Sequence, residues 1–193
     1  MARQVSERVP PGQSVTTKWP VLHYGSVPRF NPATWDFKIF GLVDSPVTLS
    51  YQAFKDLPRT TLAADIHCVT AWSRLAVSFE GVLARTVLEH AGIRPEARFV
   101  MVHAEQGYET NVPLEYVLAD DALLADRADG ADLTPDHGWP LRLVIPRLYF
   151  WKSAKWVRGF ELMAADRAGF WERNGYHMRG DPWKEERYST PWS

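Results

Sequence analysis

A single cysteine, Cys68, stands in the segment His67-Cys68-Val69-Thr70-Ala71-Trp72-Ser73, directly after a stretch of β-type composition. A thiol beside an imidazole can be a nucleophile with its base. Neighbouring side chains on a strand point to opposite faces, however, so His67 is not obviously placed against the Cys68 sulfur. A thiolate can instead be a soft ligand to one metal centre. The plainest reading of a lone cysteine is a small buried hydrophobe. One cysteine also excludes an intramolecular disulfide, a cysteine-based zinc cage and an iron–sulfur cluster.

Two further segments carry cations. In His137-Gly138-Trp139-Pro140-Leu141-Arg142, Gly138 permits a tight turn and Arg142 enters an otherwise apolar strand, Leu141–Ile145. A charge there needs a partner or a surface. The alternatives are a solvated arginine on an exposed face and a fork for a phosphate. In Lys152-Ser153-Ala154-Lys155-Trp156, two ammonium groups and a hydroxyl sit between two strands. That is a plain surface turn or a phosphate site. The chain contains no GxxxxGK[ST], GxGxxG, HExxH or GxSxG pattern, so the enzyme classes built on those motifs lose support.

The elements that must position these residues are short. Alternation predicts a strand over Trp35–Val43, and Val47–Leu49 reads as another. Ser50 caps a helix over Tyr51–Leu57 that Pro58 ends. Strand character follows at Arg59–Cys68 and Val77–Phe79. Glu80-Gly81 reads as a turn into a helix over Val82–His90. Further strands are expected at Arg98–Ala104, Tyr108–Val112, Ala122–Ala125, Leu141–Ile145 and Trp156–Met163, with a short helix opened by Pro113. Short helices among many strands argue for an α+β fold. Residues 1–34 hold five prolines and read as an extended segment packing on the domain, 35–178 as the domain, and 179–193 as an aromatic, charged tail.

Composition bounds the function. The chain has 193 residues, about one domain, with 46% hydrophobic and 23% charged residues, which excludes a disordered or fibrous chain. The 22 basic residues against 23 acidic ones argue against a nucleic-acid partner. No apolar run approaches the roughly 18 residues of a membrane helix. The N-terminus shows no apolar signal core, so a cytoplasmic protein is expected. Nine Trp, seven Tyr and nine Phe are many for this length. Trp19, Tyr24, Trp171, Tyr176, Trp183 and Trp192 fall near the ends or in Pro/Gly-rich segments, where aromatics close a core from outside or line a pocket.

Taken in order, His67–Ser73, His137–Pro146, Lys152–Trp156 and Phe170–Tyr176 resemble the molybdopterin-binding domain of the sulfite oxidase family, and Glu7–Gly25 and Val27–Trp35 are similar to its small bacterial members. The resemblance runs from about residue 7 to 178. It implies a single domain of mixed sheets with short helices, a molybdenum-molybdopterin cofactor and two-electron oxygen-atom transfer on a small-molecule substrate. It implies that Cys68 ligates molybdenum and that His137, Arg142, Ser153 and Lys155 contact the pterin and its phosphate. His23, Tyr108 and Thr110 fall in cofactor-contacting segments, and Tyr176 falls where a tyrosine stands near the reacting oxygen. The chain departs from the sulfite oxidases where they carry two arginines: here Val21 and Ser73 stand, with Arg74 one register off. Ala71 stands where small bacterial relatives usually have glycine, as does Arg147, which could restore positive charge. S- or N-oxide reduction is therefore expected over sulfite oxidation. The alternative is a non-catalytic binder or carrier of the cofactor. With no haem domain or family dimerisation domain in the sequence, an external electron-transfer partner and a monomer are expected.

Overall fold

The computed structural model describes residues 7–189; Trp192 and the outermost residues of both terminal segments lie outside them. Alternation at the start of the domain becomes strand β2, placed after the short β1 (Ser14–Val15). In β2 (Asp36–Gly41), Phe37 and Ile39 are buried while Lys38 and Phe40 face out. It pairs with β3 (Val47–Ser50) in antiparallel register, Phe37 opposite Leu49. Ser50 then caps α1 (Tyr51–Lys55), its Oγ accepting from the Ala53 N–H at 3.2 Å.

Two sheets follow from these pairings. One runs β3–β2–β11–β6–β7, with β6 (Phe99–Ala104), β7 (Glu109–Pro113) and β11 (Val157–Met163); β11 lies parallel to β2, and its other neighbour is antiparallel. The other is built on the long β5 (Trp72–Leu83). One edge of β5 takes β4 (Thr60–His67); β1 also pairs with the start of β5, and β8 (Leu123–Ala128) pairs with its end. The short β9 (Ala131–Asp132) and β10 (Arg142–Val144) both pair with β8. The main core joins the sheets: Phe37, Phe160 and Val102 from one meet Val82, Leu124 and Leu143 from the other. The helices α2 (Ala84–Glu89) and α3 (Leu114–Val117) add Val87, Leu88 and Val117 to the same core. Fully burying one such side chain contributes about 1.5–3 kcal/mol.

One local expectation fails. Glu80 and Gly81 make no turn; β5 continues through them to Leu83, and the helix begins only at Ala84. The register against β8 shifts between Glu80 and Gly81, and a Cβ at Gly81 would collide with the carbonyl of Leu124. The glycine is there for close approach of two strands, not for a turn.

Candidate active site

The hairpin between β4 and β5 carries the thiol. Cys68 donates its N–H to Trp72 O at 2.9 Å, and Ala71 closes the turn in the left-handed region at φ 68°. Such a backbone suits glycine. Cys68 is buried with Val69, Tyr149 and Trp151, its Sγ 3.1 Å from Thr70 Oγ1. Burial pushes the thiol above its usual pKa, against the lowering effect of Thr70 and of the Arg187 charge. His67 engages Ser73 Oγ through Nδ1 at 2.8 Å, and burial holds the ring below its ordinary pKa. Among the described residues Cys68 has no activating base, so the nucleophile reading loses its partner.

Cys68 lines a cavity of about 450 Å³ that Arg142 and Lys155 also line. Arg142 is 1% exposed, not on a solvated face. Its Nη1 donates to His137 O at 2.8 Å and Nη2 to Ser153 O at 3.0 Å, while Nε is buried with no partner among the described residues. The guanidinium packs 4.2 Å from the Phe150 ring centroid. Burial brings its pKa down to about 9, and no carboxylate lies within ion-pair distance among the described residues. Lys155 donates to Asp136 O at 2.6 Å. Burial first, and the Arg142 charge second, bring it down to about 7. A buried and a partly buried cation facing one cavity are unfavourable until an anion joins them.

The remaining expected residues divide. His23, Tyr108, His137, Ser153 and Tyr176 all line the cavity with Cys68, Arg142 and Lys155. His137 has both ring nitrogens engaged, Nδ1 with Thr134 Oγ1 and Nε2 with Trp19 O, so it works through its carbonyl on Arg142. Ser153 Oγ accepts from the Ile145 N–H and its carbonyl holds Arg142. His23 packs edge-on against Trp156, and Tyr108 Oη donates to Trp151 O at 2.9 Å. Thr110 is not at the cavity: it is fully buried behind the wall, its hydroxyl on Glu172 Oε1. Lys152, one of the two turn lysines, also points away, onto Glu172 and the Asn111 carbonyl.

The Cys68 end is aromatic. Tyr176 stacks on Trp171 with centroids 4.9 Å apart and meets Trp151 edge-on at 5.0 Å. Burial raises the Tyr176 pKa. Trp19 and Tyr24 also line the cavity, whereas Trp183 is half exposed away from it. Trp151 had no signal of its own beyond its apolar neighbours. None of Val21, Ser73, Arg74 and Arg147 lines the cavity. Ser73 is buried on His67, Arg74 pairs with Asp129, and Arg147 pairs with Asp121 on the surface. Among the described residues no three His, Cys, Asp or Glu side chains are arranged to hold a metal ion. No helix among them is long and apolar enough to cross a membrane.

Residues 24–171 match the family described as oxidoreductase molybdopterin binding domain. The chain is 53% identical over 185 residues to "Uncharacterized oxidoreductase YuiH" of Bacillus subtilis (strain 168), covering 95% of this chain and 93% of that protein. It is 24% identical over 173 residues to "Putative protein-methionine-sulfoxide reductase subunit YedZ1" of Azospira oryzae, covering 88% of this chain and 66% of that protein. Against "Nitrate reductase [NADPH]" of Emericella nidulans it is 26% identical and spans 19% of that protein. Among solved structures, the fold matches the sulfane dehydrogenase SoxCD from Paracoccus pantotrophus with a TM-score of 0.69 and 24% identity, over 79% of this chain and 43% of that one.

Proposed function

The chain belongs to the oxidoreductase molybdopterin-binding domain family, the sulfite oxidase family, and is an oxidoreductase of it; from that premise we propose that it holds molybdenum-molybdopterin and reduces a small neutral S- or N-oxide. The observation that carries this reading is what one cavity brings together. A lone thiol lies among aromatic rings, and Arg142 lines the same cavity with, among the described residues, an unpartnered buried Nε and no carboxylate in reach. The residues fit the cofactor. Arg142 and Lys155 supply the fixed charge a phosphate needs. Cys68 supplies one soft donor, and the other metal ligands would have to come with the cofactor.

When bound, the cofactor supplies two-electron oxygen-atom transfer. The chain's own residues do the rest. His137 O and Ser153 O fix the plane of the Arg142 fork, so that binding the phosphate requires little reordering. Trp151, Trp171 and Tyr176 exclude water from the Cys68 end. Tyr176 stays protonated, because burial raises its pKa, and its Oη donates to the substrate oxygen. The balance is one oxide, two electrons and two protons in, and one reduced product and one water out. The electrons come from an external electron-transfer partner. A relative named as a subunit of a putative methionine-sulfoxide reductase agrees with an S-oxide.

The test is to purify the protein from molybdate-fed cells, measure molybdenum and pterin per chain, and assay reduction of a sulfoxide and an amine N-oxide with a reduced viologen dye as electron donor, and oxidation of sulfite with ferricyanide as electron acceptor. Stoichiometric metal with turnover of either oxide is expected. Metal with turnover of sulfite alone would overturn the oxide reading, and metal without turnover of either oxide or sulfite would leave the protein a cofactor carrier.

A further inference from the structure

The turn that bears Cys68 is held from outside its own hairpin. Three of its four carbonyls are engaged by groups from the chain's two terminal segments. Cys68 O accepts from Gln13 Nε2 at 3.0 Å, and Ala71 O accepts from the Ser14 N–H at 3.0 Å. Val69 O accepts from Arg187 Nη1 at 2.5 Å. Inside the hairpin, the turn is closed by the Cys68 N–H on Trp72 O and the Ala71 N–H on Cys68 O. Gln13 and Arg187 both lie outside residues 24–171, the stretch matched to the family.

Arg187 reaches further than Val69. Its Nη2 lies 3.3 Å from Gly12 O and 3.5 Å from Pro11 O, so one guanidinium joins the N-terminal segment to the thiol turn. It sits 5.0 Å over the ring of Tyr149, which packs against Cys68. Its backbone carbonyl accepts from the His177 N–H at 3.2 Å, and Ser189 N–H donates to Gly175 O at 2.9 Å. These two bonds flank Tyr176, whose ring also meets Tyr188 edge-on at 5.5 Å. The side chain of one residue thus holds the Cys68 turn while its backbone holds the Tyr176 turn.

We propose that Arg187, assisted by Gln13, is a positioning residue that fixes the Cys68 turn relative to Tyr176 at the reacting end of the cavity. The proposal rests on reading Cys68 as the molybdenum ligand. A planar fork is required because its two Nη groups serve carbonyls from different segments while its face covers a ring. A lysine ammonium in the same place reaches one segment only. Neither Arg187 nor Gln13 lines the cavity, so their effect on chemistry passes through the turn.

The test compares wild type with Arg187→Gln, Arg187→Lys and Gln13→Ala. Molybdenum per chain, the Mo(V) electron-paramagnetic spectrum of partly reduced protein, and kcat and KM for the oxide are measured on the loaded protein. Amide hydrogen exchange is measured on the cofactor-free protein. The expected result for Arg187→Gln is near wild-type metal content, a broadened or shifted Mo(V) spectrum, and kcat lower by about 10- to 100-fold with KM little changed, the size seen when the groups orienting a metal ligand are lost. Arg187→Lys should recover part of both spectrum and kcat. A wild-type spectrum and kcat in Arg187→Gln would overturn the proposal. If that variant does not fold, Gln13→Ala decides: a shifted spectrum with lowered kcat supports it, and wild-type values overturn it. If the wild-type protein takes up no molybdenum, the proposed function fails by itself. The positioning claim is then read from exchange: faster exchange at the Ala71 and His177 amides in Arg187→Gln, with the β-sheet amides unchanged, supports it, and unchanged exchange there overturns it.

Discussion

Nζ of Lys152 lies 2.5 Å from Oε1 of Glu172, and neither side chain is exposed to solvent. The ammonium also donates to Asn111 O, Asn111 Oδ1 and Met178 O, and the carboxylate also accepts from Trp151 Nε1 at 2.8 Å. The pair therefore stands directly behind the aromatic wall at the Cys68 end. Burial pushes the Lys152 pKa down and Glu172 opposes that shift. Removing one partner leaves the other charge buried and alone, which costs about 3–5 kcal/mol. Lys152→Met and Glu172→Gln are each expected to lower unfolding stability in urea by roughly that amount. The double variant Lys152→Met/Glu172→Gln is expected to lose less than the sum of the two single losses. Additive losses in the double variant would show that the two charges do not compensate each other.

Lys155, three residues on, predicts the opposite behaviour. Its folded pKa of about 7 lies below the ordinary lysine value of 10.5, because burial and Arg142 disfavour its charge. Between those values the unfolded chain holds the extra proton, so the cofactor-free protein gains stability as pH rises through that window. Below about pH 7 both states are protonated and the penalty is fully present. Arg142, at about 9, adds its own gain only higher up. A bound anion reverses the preference and favours the charged amine. Sulfate, whose charge is constant in this range, should bind more weakly as pH climbs from 7 to 9, by at most about tenfold per pH unit. Titrating sulfate protection against thermal unfolding checks this, and Lys155→Met should flatten both the stability slope and the sulfate dependence between pH 7 and 9.

Those two lysines show where the sequence was legible and where it was not. Strands with clean alternation or a continuous apolar run, such as those over Phe37 and Ile39 or Val100 and Val102, were readable because period and burial agree. So was the Ser50 cap, whose signal is one side chain and one N–H. The Glu80-Gly81 error arose because a glycine that admits a neighbouring strand looks the same as a glycine that makes a turn. In the site, Arg142 stood out because a charge in an apolar strand demands an explanation, whereas Cys68 and Lys155 had plainer readings, a buried hydrophobe and a surface turn, until the ordered motifs of the family marked them. Thr110 and Lys152 did not separate from their neighbours, because which side of a wall a side chain takes is decided by Glu172, 62 and 20 positions away. Gln13 and Arg187 gave no signal at all: their partners are backbone carbonyls, which every residue possesses.

Cys68→Ser is expected to keep the fold, since the side chains are nearly isosteric and Thr70 Oγ1, 3.1 Å away, can hydrogen-bond either one. The alkoxide is a hard donor where a soft thiolate stood, which changes the electronics of a bound molybdenum. Turnover should fall by about 100-fold or more while pterin content persists. Melting temperature, pterin fluorescence after release and kcat are the measurements, and wild-type kcat would remove Cys68 from the metal.

Sulfite should be a poor substrate, and the reason is electrostatic. Sulfite is a small dianion at neutral to alkaline pH, and its lost hydration must be replaced by fixed charge or donors. The two cations that line the cavity, Arg142 and Lys155, are committed to the phosphate on the proposed reading. At the Cys68 end the walls are Trp151, Trp171 and Tyr176. The cations that could have replaced the missing arginines are elsewhere: Arg74 is held by Asp129, Arg147 by Asp121, and Arg187 spends its Nη groups on the Val69, Gly12 and Pro11 carbonyls. An uncharged oxide meets no such requirement, needing only the Tyr176 hydroxyl on its oxygen and aromatic contact around its carbons. In side-by-side steady-state assays, kcat/KM for sulfite is expected to fall below about 10⁴ M⁻¹s⁻¹, the lower edge of the usual enzyme range, and below that for the better of the two oxides. Introducing a cation at the aromatic end, as Trp171→Arg, should then narrow the gap by raising sulfite turnover and lowering oxide turnover. A wild-type sulfite kcat/KM at or above the oxide value would mean that the aromatic end carries positive charge that its side chains do not supply.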